Sequence, residues 1–369
     1  MCWPCTSNKH IEPAYPSEGQ GKKQQQQQQQ QGRSRKMLAK SKDDSCFAKG
    51  NERGLEEVSG ANIAKFTFPR PGGAGSFEID TYISKGDDAP GEQTRQVVVV
   101  AHGHQRDANN AFKAVQSALK TSGKSNIAIV APKIFNGADG ETAADGDLCI
   151  WKGDGWGSGE GILFPLGNAI GTFDIIDAIG HHFTDKNLYP ALESITFAGH
   201  SMGSQLMLRH AILGKQVSGL KTSWVVANPS SYLYFDNDRP VKDRDGGAFK
   251  GQNEYKYGFD GIGQKLGFYA DASKSPEELF ERFAARTVRF LNGALDNKGV
   301  SESKSIDKRP AAVAQGDNRQ ERAENFRKHV NRKNGGQDPA AFSWQLVPRA
   351  SHSADEMFDS EIGIAALFN

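Results

Sequence analysis

Apolar residues fall along the chain in two alternating rhythms. Short runs bounded by Gly, Pro, Asn or Asp take turns with longer stretches in which apolar positions recur every three or four residues, the patterns of strands and helices. Lys65 to Phe68 and Phe77 to Ser84 alternate as half-buried strands do, with Pro71-Gly72-Gly73 as a turn between them. Arg95 to Ala101 contains four consecutive valines, which predicts a strand covered on both faces of a parallel sheet. A helical stretch from Asn109 to Leu119 and a buried strand over Ile127 to Ala131 complete a βαβ unit. Beyond a Gly-rich segment between Pro132 and Gly167, Ala169 to Phe183 places Ile170, Phe173, Ile176 and Ile179 on one helical face. Further strands are expected at Ile195 to Ala198, Ser223 to Ala227, Val288 to Leu291 and Phe342 to Val347. Helices are expected from Gln205 to Leu213, over Arg319 to Val330 and at the chain's end. The irregular stretch from Tyr232 to Thr287 is long enough to suggest a lid or binding loop.

In an open α/β sheet the reacting groups gather beyond the carboxyl ends of the strands. Gly199-His200-Ser201-Met202-Gly203 stands where the strand pattern gives way to a helix pattern, the setting of a G-x-S-x-G nucleophile elbow. So sharp a reversal holds the serine in a strained conformation and lifts its side chain clear of the sheet. Glycines on either side admit a backbone approach that a Cβ would block. The helix that follows aims free N–H groups and its positive dipole end at the same spot.

A serine hydroxyl needs a base within hydrogen-bond reach, and the base needs an acid to orient it. Among the nine histidines, His10 lies in the N-terminal segment, His181 and His182 end a helix, and His210 and His329 lie on helices. His200 adjoins the serine but is pointed elsewhere by the bend. Only His352 follows the last strand in a short loop, and it is the expected base. Asp296, at the end of the strand over Val288 to Leu291, is the expected acid, with Asp236 and Asp238 as rivals after the preceding strand. An oxyanion hole would combine the backbone N–H of Met202 with that of His104 or Gln105 in the loop after the valine strand. His102-Gly103-His104 also reads as a plain tight turn. His102, His104 and Asp107 suggest no further ligand, so no metal is expected, and no other cofactor is implied.

Composition changes the picture chiefly at the N-terminus. Residues 1–55 contain a run of glutamines from Gln24 to Gln31 and little apolar periodicity, so they are expected to form a disordered basic tail. Through Arg53 there are ten Lys and Arg against five Asp and Glu; with an overall charge of +1 the remainder carries −4. A mildly acidic body makes nucleic acid an unexpected partner. No apolar run is long enough for a membrane span, and the N-terminus lacks the apolar core of a secretory signal, so a soluble cytoplasmic protein is expected. Cys2-Trp3-Pro4-Cys5 has redox spacing without the strand and helix that such a motif uses.

Residues 56–369 are expected to form one α/β domain with 232–286 as a lid or cap. With Ser, Asp and His in this order at strand ends, roughly Ala61 to Asn369 resembles the α/β-hydrolase superfamily. Asn228-Pro229-Ser230-Ser231-Tyr232-Leu233-Tyr234, Ala314-Gln315-Gly316-Asp317-Asn318-Arg319 and His352-Ser353 with Met357-Phe358 resemble a largely uncharacterised bacterial and fungal group within it. The resemblance implies a mostly parallel central sheet flanked by helices, with Ser201 as nucleophile, Asp296 as acid and His352 as base. Where a Gly often precedes that histidine, this chain has Ser351. The activity it implies is hydrolysis of a small-molecule ester or related acyl compound through an acyl-enzyme. Acyl transfer, or a binding role on the same fold, stays open because fold does not fix chemistry. Gln105, Trp151, Trp156 and Tyr232, with Tyr234, Tyr255 and Tyr257, are candidates to line a substrate pocket, unless the aromatics simply anchor long loops. Arg319 and Arg322 are candidates for an anionic substrate group, or for a solvated helix start.

Overall fold

The valine-rich run Gln96–Ala101 (β4) forms the middle of a sheet, buried at every position because helices cover both faces. The computed structural model describes residues 47–49, 51, 53–69, 76–139, 148–165 and 170–368. The Cys2–Cys5 motif, the glutamine run and the Pro71-Gly72-Gly73 turn lie outside the described residues.

Before β4 come β1 (Phe47–Lys49), β2 (Ala61–Pro69) and β3 (Ser76–Ser84); after it come β5 (Ile127–Pro132) and the short β6 (Phe135–Asn136), β7 (Ile150–Trp151) and β8 (Ile162–Phe164). The later strands are β9 (Ser194–His200), β10 (Lys221–Ala227), β11 (Thr287–Gly293) and β12 (Phe342–Val347). Among the described residues one sheet runs in the order β1-β2-β3-β5-β4-β9-β10-β11-β12, and β6, β7 and β8 form a small second one. The contacts from β1 to β5 through β2 and β3 are antiparallel, whereas β5-β4-β9-β10-β11-β12 is parallel throughout. β1 pairs Phe47 with Phe66 inside the stretch expected to be tail, because three residues are too few to display an alternation.

Helices α1 (Ala108–Ser122), α6 (Ala354–Phe358) and α7 (Glu361–Phe368) cover one face; α2 (Thr172–His182), α3 (Met202–Leu213), α4 (Pro276–Ala284) and α5 (Arg319–Lys333) cover the other. Local chemistry sets their ends. α1 stops at Gly123 in the left-handed region, and α4 begins with Pro276 inside a Ser275–Glu278 capping box. β5 lies on one side of β4 and β9 on the other, so the chain reverses its direction of winding at β4. Such a switch point opens a crevice beyond the carboxyl ends of the two strands, where His102 and Ser201 stand.

Candidate active site

Ser201 caps β9 with φ 57° and ψ −118°, outside the regions open to most residues. A single residue held there costs about 1–3 kcal/mol and persists only where its surroundings enforce it. Here the Ser201 N–H donates to the Ala227 carbonyl at 2.9 Å, and the Ser204 hydroxyl donates to the Ser201 carbonyl at 2.6 Å. A Cβ on Gly199 would lie 2.3 Å from the Gly203 carbonyl carbon, and one on Gly203 would lie 2.3 Å from the Ala101 oxygen. Both contacts are with backbone and cannot relax cheaply.

The loop after β12 brings His352 Nε2 to 2.9 Å from Ser201 Oγ, and the turn after β11 brings Asp296 Oδ2 to 2.7 Å from His352 Nδ1. Asp296 Oδ1 accepts from Arg319 Nη1 at 3.1 Å, with both side chains buried. Arg319 is fixed in turn by the Ser305 carbonyl at 2.7 Å. Asn228 ties the two loops together. Its Oδ1 accepts from the Gly293 N–H at 2.8 Å, which leaves Nδ2 to donate to the Ser351 carbonyl at 3.1 Å and to face His200 Nε2 at 3.3 Å. With Nδ2 donating, His200 Nε2 must accept, so the ring is neutral with its proton on Nδ1. Burial, the neighbouring His352 and the Arg319 charge hold His200 well below the usual histidine range, and its ring lies 4.6 Å from that of His352.

The loop after β4 is built with similar economy. His102 is buried, accepts from the Ile134 N–H at 3.1 Å and donates through Nδ1 to the Gly103 carbonyl at 2.9 Å. Burial pushes its pKa down to about 4. Arg106, with φ 58°, holds Asp139 through two bonds of 2.9 and 3.2 Å, while Lys133 donates to the Arg106 carbonyl. A Cβ on Gly103 would stand 3.8 Å from Ser201 Cβ, which measures how close this loop comes to the serine. The N–H groups of His104 and Gln105 donate to no backbone carbonyl among the described residues.

These pieces border an open cleft of about 1300 Å³, lined by His104, Gln105, Ser201, Met202, Gln205 and His352 and, across from the loop, by Lys256 and residues 304–310. Three residues expected to contact substrate lie elsewhere. Trp151, Trp156 and Tyr232 are fully buried and do not line the cleft. Trp151 donates to the Glu160 carbonyl, Trp156 packs edge-on against His102 at 4.8 Å, and Tyr232 stacks on Phe326 at 4.6 Å. Their area serves the core, the bland alternative for aromatics beside long loops. Tyr234, Tyr255 and Tyr257 are buried as well and also stand outside the lining. Of residues 232–286 only Lys256 lines the cleft, and Tyr232, Leu266, Leu279 and Phe283 pack into the core. Asp236 and Asp238 pair with Arg332 away from the cleft. Arg319 and Arg322 are neither solvated nor open to a ligand; both are buried and hydrogen-bonded within the protein.

Sequence reasoning quoted Asn228 only within a motif and gave it no role, and it placed His200 beside the serine without seeing that its ring would pack against that of His352. The available signal was an Asn at a strand end before Pro229, a residue type that tolerates positive φ; here φ is 51°.

No family model matches the chain, and no curated protein matches it. Among solved structures, a poly(aspartic acid) hydrolase from Sphingomonas sp. KT-1 is similar over 83% of this chain and 98% of its own, at 18% identity and a TM-score of 0.55. A poly(3-hydroxybutyrate) depolymerase from Bordetella parapertussis is similar over 84% of this chain and 89% of its own, again at 18% identity and 0.55. The chain has the α/β-hydrolase fold. Among the described residues no helix is long and apolar enough to cross a membrane.

Proposed function

We propose that the chain is a serine hydrolase that cleaves a small-molecule ester or related acyl compound through an acyl-enzyme. One observation carries the reading: an unbroken hydrogen-bonded relay from Ser201 through His352 to Asp296, at the head of a strained strand-to-helix turn that faces an open cleft. His352 Nε2 takes the hydroxyl proton as Ser201 Oγ attacks the substrate carbonyl, and returns it to the leaving group when the tetrahedral intermediate collapses. Asp296 accepts a hydrogen bond from Nδ1–H without taking the proton, so it fixes the tautomer and stabilises the imidazolium. The N–H groups of Met202 and His104 receive the oxyanion; losing one such donor costs about 2.7–4 kcal/mol of transition-state stabilisation. Water activated by His352 then releases the acid.

Neutral His200 supports this scheme, since a second cation beside His352 would oppose its protonation. A fluorophosphonate probe tests the reading. Labelling of the wild type that disappears in Ser201→Ala is expected, together with release of 4-nitrophenol from a chromogenic ester. No labelling, or labelling that survives the substitution, overturns it.

A further inference from the structure

We propose that Lys256 and the segment carrying Lys304, Lys308 and Arg309 form a subsite for a carboxylate borne by the substrate, so that the acyl compound cleaved is anionic. The proposal rests on the serine-hydrolase reading above and names its substrate class. Charge is segregated along the cleft lining. This wall holds four cations and one acid, Asp307, whereas Asp107, Asp154 and Asp355 belong to other segments with a single lysine, Lys113, which pairs with Glu56 at 2.8 Å, and Asp154 pairs with His104 at 3.2 Å.

Asp307 does not neutralise its own wall. Arg309 takes both of its oxygens, at 2.8 and 2.6 Å, and the Tyr257 hydroxyl donates to it at 2.8 Å. Lys256 Nζ stands at 3.4 Å from the same carboxylate as its second cation, with its side chain 13% exposed. Lys304 and Lys308 make no ion pair with any described residue.

Beneath the wall two buried guanidiniums lack a carboxylate partner among the described residues. Arg209 donates to the carbonyls of Lys256 and Gln205 and to Ser231 Oγ, and Arg322 donates to the carbonyls of Gly316, Ser230 and Asp307. Carbonyls take most of their hydrogens, while Arg322 Nη2 has no partner among the described residues, and the charge is left standing; low-dielectric walls focus that field into the cleft. The ammonium of Lys256 feels it. Burial pushes its pKa down to about 7, with Asp307 opposing and the charges of Arg209 and Arg309 adding to the fall. A bound carboxylate restores the proton, so the preference for an anionic substrate is strongest below pH 7 and fades above it.

Ser201 and the wall line one cleft, so the chain length of a substrate that bridges them sets its fit.

The test compares 4-nitrophenyl monoesters of dicarboxylic acids of four to ten carbons with the matched neutral alkanoates. The best dicarboxylate is expected to exceed its neutral partner in kcat/KM by about tenfold to a hundredfold, the worth of one charged hydrogen bond. The ratio of the two substrates should fall several-fold in Lys304→Gln/Lys308→Gln and nearly to one in Lys256→Gln, and it should shrink as salt rises. Where Lys256→Gln fails to fold, the exposed double variant decides. Equal or better turnover of the neutral ester, or a preference unmoved by the double variant, overturns the subsite while fluorophosphonate labelling of Ser201 leaves the hydrolase standing. Loss of that labelling overturns the hydrolase reading itself.

Discussion

Asp296 beside the cleft and Asp307 on its wall each meet an arginine, yet the two are arranged for different work. Asp296 presents one oxygen to Arg319 at 3.1 Å and the other to His352 at 2.7 Å. Asp307 has both oxygens on Arg309, with Tyr257 and Lys256 crowding the same group. A carboxylate gripped through one oxygen keeps the second for a histidine; one with both oxygens on a guanidinium fork, and a phenol and an ammonium on the same group, has neither oxygen to itself. Composition does not distinguish the two pairs. The difference lies in how many donors each arginine turns toward its acid: Arg319 directs Nη2 to Ser305 instead.

If that distinction is functional, the largest effect comes from cutting the free oxygen's bond. Asp296→Asn is expected to lower turnover on a neutral chromogenic ester by about 10⁴-fold, because an amide in that place favours the wrong tautomer of His352. Steady-state kinetics on folded protein checks this, and near-normal turnover breaks the comparison. Next comes the grip itself. Arg319→Met removes one partner of a buried pair and leaves an uncompensated carboxylate, which should cost about 3–5 kcal/mol of stability in urea unfolding. A loss below about 1 kcal/mol would mean that Asp296 is held by His352 and its own backbone alone.

The sequence rendered the frame of this arrangement better than its details. The elbow, the valine strand and the succession of strand ends are local patterns, and β4, β9, β10, β11 and β12 all lie within a few residues of their expected positions. Ser201, Asp296 and His352 were readable as candidates because each ends an element. Arg319 and Asn228 were not readable in their roles. Each acts on a residue far along the chain, Asn228 reaching Gly293 and Ser351, and nothing in an Asn-Pro dipeptide reports which loops will converge there. Aromatic residues misled for the opposite reason. Trp151, Trp156 and Tyr232 are as well suited to a core as to a pocket, and only packing decides.

A histidine of the cleft lining sharpens the comparison through pH. His102 is built to stay neutral, its pKa about 4 in the fold against an ordinary value near 6.5. Because the folded form refuses the proton, this site's contribution to stability is full above about pH 6.5 and is lost as pH falls toward 4. The loss from this site alone is roughly 3 kcal/mol. Unfolding free energies across that window should decline less steeply in His102→Gln than in the wild type. Parallel curves would show that His102 is not the group responsible. Smaller again is Asn228→Ala, which strips partners from the Gly293 N–H and the Ser351 carbonyl. It should cost about 1–3 kcal/mol of stability. It should also lower kcat, since the turn bearing Asp296 and the loop bearing His352 lose their common tie.

The smallest effect on chemistry is expected at the second carboxylate, and it separates the two most cleanly. Asp307→Asn removes a negative charge from the same cleft and leaves Arg309 and Lys256 without their counter-ion, so the protein should be less stable and its wall more positive. The carboxylate touches neither Ser201 nor His352, however, and the Arg319–Asp296 contact does not pass through its side chain. Turnover of a neutral ester at pH 8 by the folded fraction should therefore stay within about threefold of the wild type, well under the 1.4 kcal/mol that a tenfold change represents. If Asp307→Asn lowered kcat as far as Asp296→Asn, the acid would be shared between the two sites. The number of donors an arginine gives its partner would then not decide which carboxylate serves the histidine.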